Sequence, residues 1–177
     1  MKWLVILFLS IGQQLCSAQI FSTINAKVEF VSEAPLEIIA ASSDQLLGVL
    51  DMEEKIFAFK LFVKSFEGFN NALQQSHFYE NYMEVDEFPI ATFKGKVLED
   101  LTIDRVEYRA KGTLTIHGVQ VEKIINIVIN INEKEVAFKA NLPVLLEEFD
   151  IDLPRIVYQK IAEEIDVKIE GILRLKE

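Results

Sequence analysis

Apolar and polar residues alternate with a period of two over most of the chain from residue 21 onward, which is typical of strands with one buried face. The clearest case is residues 107–116, where Tyr108, Ala110, Gly112, Leu114 and Ile116 share one face and the intervening residues are charged or carry hydroxyls. The pattern predicts eight or nine strands. They cover residues 22–30, 36–41, 45–52, 56–66, 91–98, 107–116, 119–131, 135–140 and 166–175.

Residues 66–95 interrupt this alternation and join two strands without a hairpin. Gly68 ends the first strand, and Asn70 or Asn71 is a suitable cap for a short helix over residues 72–75. An aromatic, polar connector follows, and the dipeptide Phe88-Pro89 restarts an extended conformation. The stretch therefore predicts a packed helical crossover.

Two further features lie in the C-terminal half. Gly118 follows His117 where the alternation requires a tight turn, and glycine adopts a positive φ at little cost. Residues 143–152 are predicted to be an acidic loop. Pro154, a favourable first residue of a helix, precedes a stripe of Ile156, Val157, Ile161 and Ile165, which predicts a second helix.

Antiparallel strands with one apolar and one charged face must close into a barrel or stack as a sandwich to bury the apolar face. Both architectures require nearly the same alternation, so periodicity leaves the choice open. No linker, repeat or low-complexity run divides residues 19–177, and their length suits one domain.

Residues 1–18 are predicted to be a signal peptide. Lys2 precedes a short apolar run, and Ser17-Ala18 supply the small residues of a cleavage site, while the run is too short to span a bilayer. Leu15 is too large for a lipoprotein site at Cys16. We therefore expect cleavage after Ala18 and a periplasmic or secreted protein with no transmembrane segment; a buried first helix is the alternative.

Cleavage would remove the single cysteine, so the exported form has no disulfide and depends on its core for stability. The full chain has 28 acidic and 18 basic residues, and Lys2 leaves with the leader. This acidic balance argues against nucleic acid as a partner and against electrostatic docking on anionic membranes.

Two sequence blocks resemble the YceI-like family. The first is carried by His77, Phe78, Tyr82, Phe88, Pro89, Ala91, Thr92, Phe93 and Gly95. The second is the segment G-x-L-T-x-H-G-V that begins at Gly112. The resemblance implies an all-β fold, an antiparallel lipocalin-like β-barrel of about eight strands with helical elements near its mouth. The residue pattern adds the short helical crossover and the one helix in the C-terminal half. The resemblance also implies an interior that binds an isoprenoid-type lipid.

A barrel of about eight strands has an interior that is either filled by side chains or wide enough for one small ligand. Gly95, Gly112 and Gly171 fall on apolar strand faces, where they either withdraw volume to form a channel or mark bends and bulges. The candidate lipid-binding residues are Phe57, Phe59, Leu61, Phe93, Gly112, Leu114, Ile116, Ile127, Phe138 and Ile169.

The sequence offers little catalytic chemistry. His77 and His117, the only histidines, lack metal-ligand spacing and are expected to be structural. Glu147, Glu148, Asp150 and Asp152 form a solvated loop or, alternatively, a calcium site, although the EF-hand spacing is absent. We expect that the protein is not an enzyme and that it binds neither a metal nor a cofactor.

Two functions remain open at this point. One is an exported protein that sequesters or carries an apolar isoprenoid-type lipid, with a homodimer as an open alternative to a monomer. The other is a structural or stress-response envelope protein with a packed core and no ligand. A continuous apolar tunnel would favour the first, and a packed core would favour the second.

The leader prediction is tested by the intact mass of the protein recovered from the cell envelope or the medium. We expect a chain that begins at Gln19. An uncleaved chain, or one with acyl groups on Cys16, would contradict it.

Overall fold

The computed structural model describes residues 19–176, and within that range eight antiparallel strands close into a barrel in sequence order. The first strand pairs with the last, Val28 opposite Ile169, so that this sheet has no free edge. The architecture confirms the predicted barrel. The strands are β1 (Ile20–Glu33), β2 (Ile38–Asp51), β3 (Ile56–Phe62), β4 (Ile90–Val97), β5 (Glu107–Ile116), β6 (Val119–Ile131), β7 (Glu135–Leu145) and β8 (Glu164–Leu175). The predicted signal peptide lies outside the described residues.

A bulge in β1 corrects the predicted faces of that strand. Phe21 and Thr23 point inward, but Ile24 and Asn25 are both exposed, and inward alternation resumes at Ala26. The register with β2 shifts between Thr23 and Ala26, as expected where one strand holds an extra residue. Strict alternation with Ala26, Val28 and Phe30 would bury Ile24, but the bulge leaves it exposed.

The barrel has two distinct ends because its strands alternate in direction. One end, here called the crossover end, carries the β1–β2 turn, the segment between β3 and β4, the His117-Gly118 turn and the segment between β7 and β8. The opposite end carries the β2–β3, β4–β5 and β6–β7 connections.

The predicted crossover helix is confirmed. The helix α1 (Ala72–His77) is capped by Asn71, whose side chain accepts a hydrogen bond from the Gln74 N–H at 2.9 Å. A π-helical turn, Phe78–Tyr82, continues it. The Phe78 ring stacks on Phe30 of β1 at 5.2 Å, so the crossover packs onto the barrel through aromatic contacts.

The predicted helix after Pro154 is wrong. A three-residue 3-10 turn, Arg155–Val157, forms there, and β8 begins at Glu164. The apolar residues predicted to share one helix face are separated in the structure. Ile165 pairs with Val144 of β7, while Ile156 is exposed. The strand β7 also extends to Leu145, three residues into the predicted acidic loop.

The β4–β5 connection covers the opposite end of the barrel. The Tyr108 ring is buried, and its hydroxyl lies 2.8 Å from the Thr102 carbonyl oxygen and 2.9 Å from that of Arg105. The same hydroxyl accepts a hydrogen bond from the Thr102 N–H at 3.1 Å. One side chain thus fixes a whole loop over the barrel end.

Removing this hydroxyl by Tyr108→Phe should lower the free energy of unfolding by about 1–2 kcal/mol, because the loop's backbone groups lose their partner. Chemical denaturation measures the change. Tyr158→Phe, at a half-exposed tyrosine of the crossover end, is the control and should have no measurable effect. Equal stability of the two variants would contradict the role assigned to Tyr108.

Candidate functional site

A cavity of about 500 Å³ runs along the barrel axis and opens at the crossover end. All eight strands of the described barrel contribute inward side chains to its wall. Its deepest lining residues include Val97, Val136 and Leu173, near the covered end, and its mouth lies beside Leu73 of α1 and Val157. The volume falls within the range of small-ligand pockets, about 300–1,000 Å³.

Nine of the ten predicted lipid-binding residues line this cavity. They are Phe57, Phe59, Leu61, Phe93, Leu114, Ile116, Ile127, Phe138 and Ile169. The period-two pattern placed them on the correct face, and barrel closure brings them together. Their role in binding a lipid remains a prediction.

The tenth predicted residue, Gly112, does not line the cavity, and the channel predicted there is wrong. A Cβ atom at this position would lie 2.5 Å from the Lys94 carbonyl oxygen and 2.9 Å from the Phe93 ring. The missing side chain therefore leaves no open space. Gly112 also pairs with Gly95 in regular register, so no bulge explains it. The pair instead permits β4 and β5 to approach closely with a phenyl ring over them.

The same arrangement recurs around the barrel wall. Gly48 faces the ring of Phe59, and Gly171 faces Phe138 and the Ala26 methyl group. These glycines therefore open no channel, because phenyl rings occupy the volume they release. Gly171 also lies beside the β1 bulge, where the register of β1 with β8 shifts between Ser22 and Lys27, as the alternative of a bend or bulge predicts.

The seated rings form a continuous aromatic belt along the cavity. Ring centroids are 5.0 Å apart for Phe57 and Phe93, 5.9 Å for Phe57 and Phe59, and 5.1 Å for Phe59 and Phe138. Contacts at these distances are favourable in offset or tilted geometry. The belt gives the cavity wall a continuous apolar surface.

Polar groups of the site collect at the mouth. Gln74 donates a hydrogen bond to Glu37 at 3.0 Å, and Asn71, His77 and Lys160 also border the opening. Sequence reasoning missed these as binding residues because loops and short helices carry no strand period. Burial raises the pKa of the Tyr82 phenol, which also lines the cavity, as expected for a group in an apolar setting.

His117 ties three segments together at the crossover end, outside the cavity lining. Its Nε2 lies 2.8 Å from a Glu84 carboxylate oxygen, and its Nδ1 lies 3.2 Å from the Phe149 carbonyl oxygen. The Phe88 ring packs against the imidazole at 4.5 Å. His117 and Gly118 both have positive φ, which suits the two-residue turn that the sequence predicts there. These contacts give His117 the structural role expected for it.

Glu148, from the acidic segment 147–152, pairs with Lys123 of β6. Among the described residues, no group of histidine, cysteine, aspartate and glutamate side chains is arranged to hold a metal ion. Across residues 19–176, no helix has the length and apolar character needed to cross a membrane.

The family model of the YceI-like domain matches residues 19–172. The chain belongs to the YceI-like family. No curated protein matches the chain.

Three solved structures share this YceI-like fold. BcnA of Burkholderia cenocepacia matches with a TM-score of 0.70 and 17% identity, over 83% of this chain and 95% of BcnA. A polyisoprenoid-binding domain from Saccharophagus degradans, implicated in plant cell wall breakdown, matches with a TM-score of 0.68 and 11% identity, over 90% of this chain and 100% of that domain. The YceI protein of Campylobacter jejuni matches with a TM-score of 0.59 and 17% identity over 100% of both chains. At these identities the likeness shows the fold.

The close contacts around Gly112 predict that a side chain at this position destabilises the fold. Gly112→Ala should lower the free energy of unfolding by about 1–3 kcal/mol, because the Lys94 backbone cannot move away as a side chain can. Thr113→Ala, on the outer face of the same strand, is the matched control and should change stability by less than about 0.5 kcal/mol. If Gly112→Ala is as stable as this control, the close approach of β4 and β5 is not a constraint.

Proposed function

We propose that this protein is an exported, non-catalytic binding protein that holds one apolar, isoprenoid-type chain inside the barrel. The observation that carries the proposal is the 500 Å³ cavity, lined from end to end by inward apolar side chains. The aromatic belt is part of the cavity wall, and its phenyl rings carry no hydrogen-bonding groups.

The proposed mechanism is passive. Each Å² of apolar ligand surface removed from water contributes roughly 25 cal/mol, so a long hydrocarbon chain gains most from a continuous apolar wall. Polar groups such as Glu37, Gln74 and His77 stand at the mouth. The ligand would therefore enter tail first and leave a polar head at the crossover end.

Other observations support parts of this proposal. The structural neighbour from Saccharophagus degradans is a polyisoprenoid-binding domain with the same fold. The proposed export depends on the leader at residues 1–18. A structural protein with a packed core is the weaker candidate, because its interior would not need an open cavity of this size.

Filling the cavity should abolish ligand binding. Ala140 lines the cavity between Ile127 and Ile169, its partners on the two neighbouring strands. We expect Ala140→Phe to weaken binding of a fluorescent isoprenoid alcohol at least about tenfold, because the new ring occupies the ligand's path. Fluorescence titration measures the affinity.

Ala137→Phe, on the outer face of the same strand, is the matched control and should bind as the wild type does. Mass spectrometry of organic extracts from the purified protein then identifies any natural ligand. Absence of both a co-purifying lipid and probe binding by the wild type would rule out the carrier function and favour the structural one.

A further inference from the structure

The cavity mouth is bordered by apolar side chains that point into solvent. They belong to three segments, residues 34–38, 70–77 and 154–162, and together form what we call the mouth rim. Its members are Leu36, Ile38, Leu73, Ile156 and Tyr158, with exposed fractions of 68%, 61%, 65%, 87% and 49%. Exposed apolar patches of this kind mark interaction surfaces.

The three segments form one surface because the β1–β2 turn contacts both of the others. The Leu36 N–H donates to the Gln159 carbonyl oxygen at 2.8 Å, which joins the turn to residues 154–162. The Asn70 side-chain amide donates to the Ile38 carbonyl oxygen at 3.0 Å, which joins it to the α1 segment. Leu73 and Val157 also line the cavity, so the rim is continuous with the mouth.

The charge of the rim differs from that of the whole chain. Its three segments contain one acidic residue, Glu37, and two basic ones, Arg155 and Lys160, whereas the chain has a net charge of −10. The opposite end also exposes apolar residues, including Ile103. Its connecting segments, residues 52–55, 98–106 and 132–134, carry six acidic and three basic residues.

The remainder of the crossover end is acidic as well. Glu84 at the His117 turn, Glu147 and Asp150 are exposed, as are Glu33 and Glu163, which flank two of the rim segments. The mouth rim is therefore a sector of the surface that is apolar, lacks the acidic excess of its surroundings and opens into the cavity.

We propose that the mouth rim docks onto the surface of a lipid bilayer, so that the cavity opens into the headgroup region. The purpose of docking rests on the proposed carrier function, since an apolar chain could then pass between bilayer and cavity without crossing water. Leu36, Leu73 and Ile156 would enter the outer part of the bilayer. Tyr158 suits the interface, and Arg155 and Lys160 can extend toward lipid phosphates.

A bilayer fits this surface better than a protein does. The rim borders the opening of the cavity, so a protein partner or a second copy of the chain seated on it would block the ligand's route. An anionic bilayer surface would repel the acidic residues around the His117 turn. The barrel would therefore bind with its axis tilted, so that the mouth rim is closest to the bilayer. Apolar insertion dominates this docking, in keeping with the overall acidic charge.

The proposal is tested by flotation of the ligand-free protein with vesicles of phosphatidylcholine containing a minor fraction of phosphatidylglycerol. The rim variant is Leu36→Asp with Ile156→Asp, two exposed residues that do not line the cavity. We expect it to bind vesicles at least about tenfold more weakly than the wild type, because charged side chains are excluded from the bilayer. The difference should persist at high salt.

A matched control adds the same two charges at the opposite end, by Ile103→Asp with Val106→Asp, both exposed residues. It should bind vesicles as the wild type does. Thermal unfolding verifies that each variant is folded, and the single variant Ile156→Asp replaces the double one if that is destabilised. Binding of the isoprenoid probe without vesicles reports the cavity separately and should be equal in all variants.

The outcomes separate docking from ligand binding. Failure of the wild type to float with vesicles overturns the docking proposal even if the cavity binds the probe. Two other results also overturn the docking proposal. One is equal flotation of the rim and control variants, and the other is a concentration-dependent dimer that only the rim variant disrupts. If the wild type docks through the rim but takes up no probe, the docking surface stands and the carrier function falls.

Discussion

Closure of the hydrogen-bonded ladder between β1 and β8 is the constraint on which the rest of the molecule depends. Strands at the two ends of the described sequence must pair, Val28 with Ile169, before the inward apolar faces are enclosed. Without that pairing, two edges and the inner wall would be open to water. Closure also fixes the circumference of the barrel, and hence how much space the inward side chains leave.

That space is asymmetric along the axis. At one end Tyr108 anchors the β4–β5 loop over buried apolar side chains. At the other end the crossover rests on the barrel through the half-buried Phe78 ring and leaves an opening beside α1. The polar groups of the site and the exposed apolar side chains therefore meet at one end of the barrel.

Sequence reasoning predicted the barrel wall well and its ends poorly. The bounds of β5 and β6 agree with the structure because clean alternation and a two-residue turn define them. A period identifies the face of a residue, but it does not give the distance to the next strand, so the close approach at Gly112 was missed. The stripe after Pro154 resembles a helix, yet backbone contacts to the β1–β2 turn and pairing in β8 determine its structure. Mouth residues such as Lys160 lie in segments without the two-residue period that identified the barrel wall.

The seating of phenyl rings on inward glycines has an evolutionary consequence. A larger residue at Gly112 collides with the Phe93 ring, and a smaller residue at Phe93 leaves a void over the glycine. Selection therefore acts on the pair more than on either residue alone. Among relatives we expect such positions to change together across neighbouring strands, so that the shape of the interior changes by exchange of whole glycine–aromatic units while the hydrogen-bonded wall stays the same.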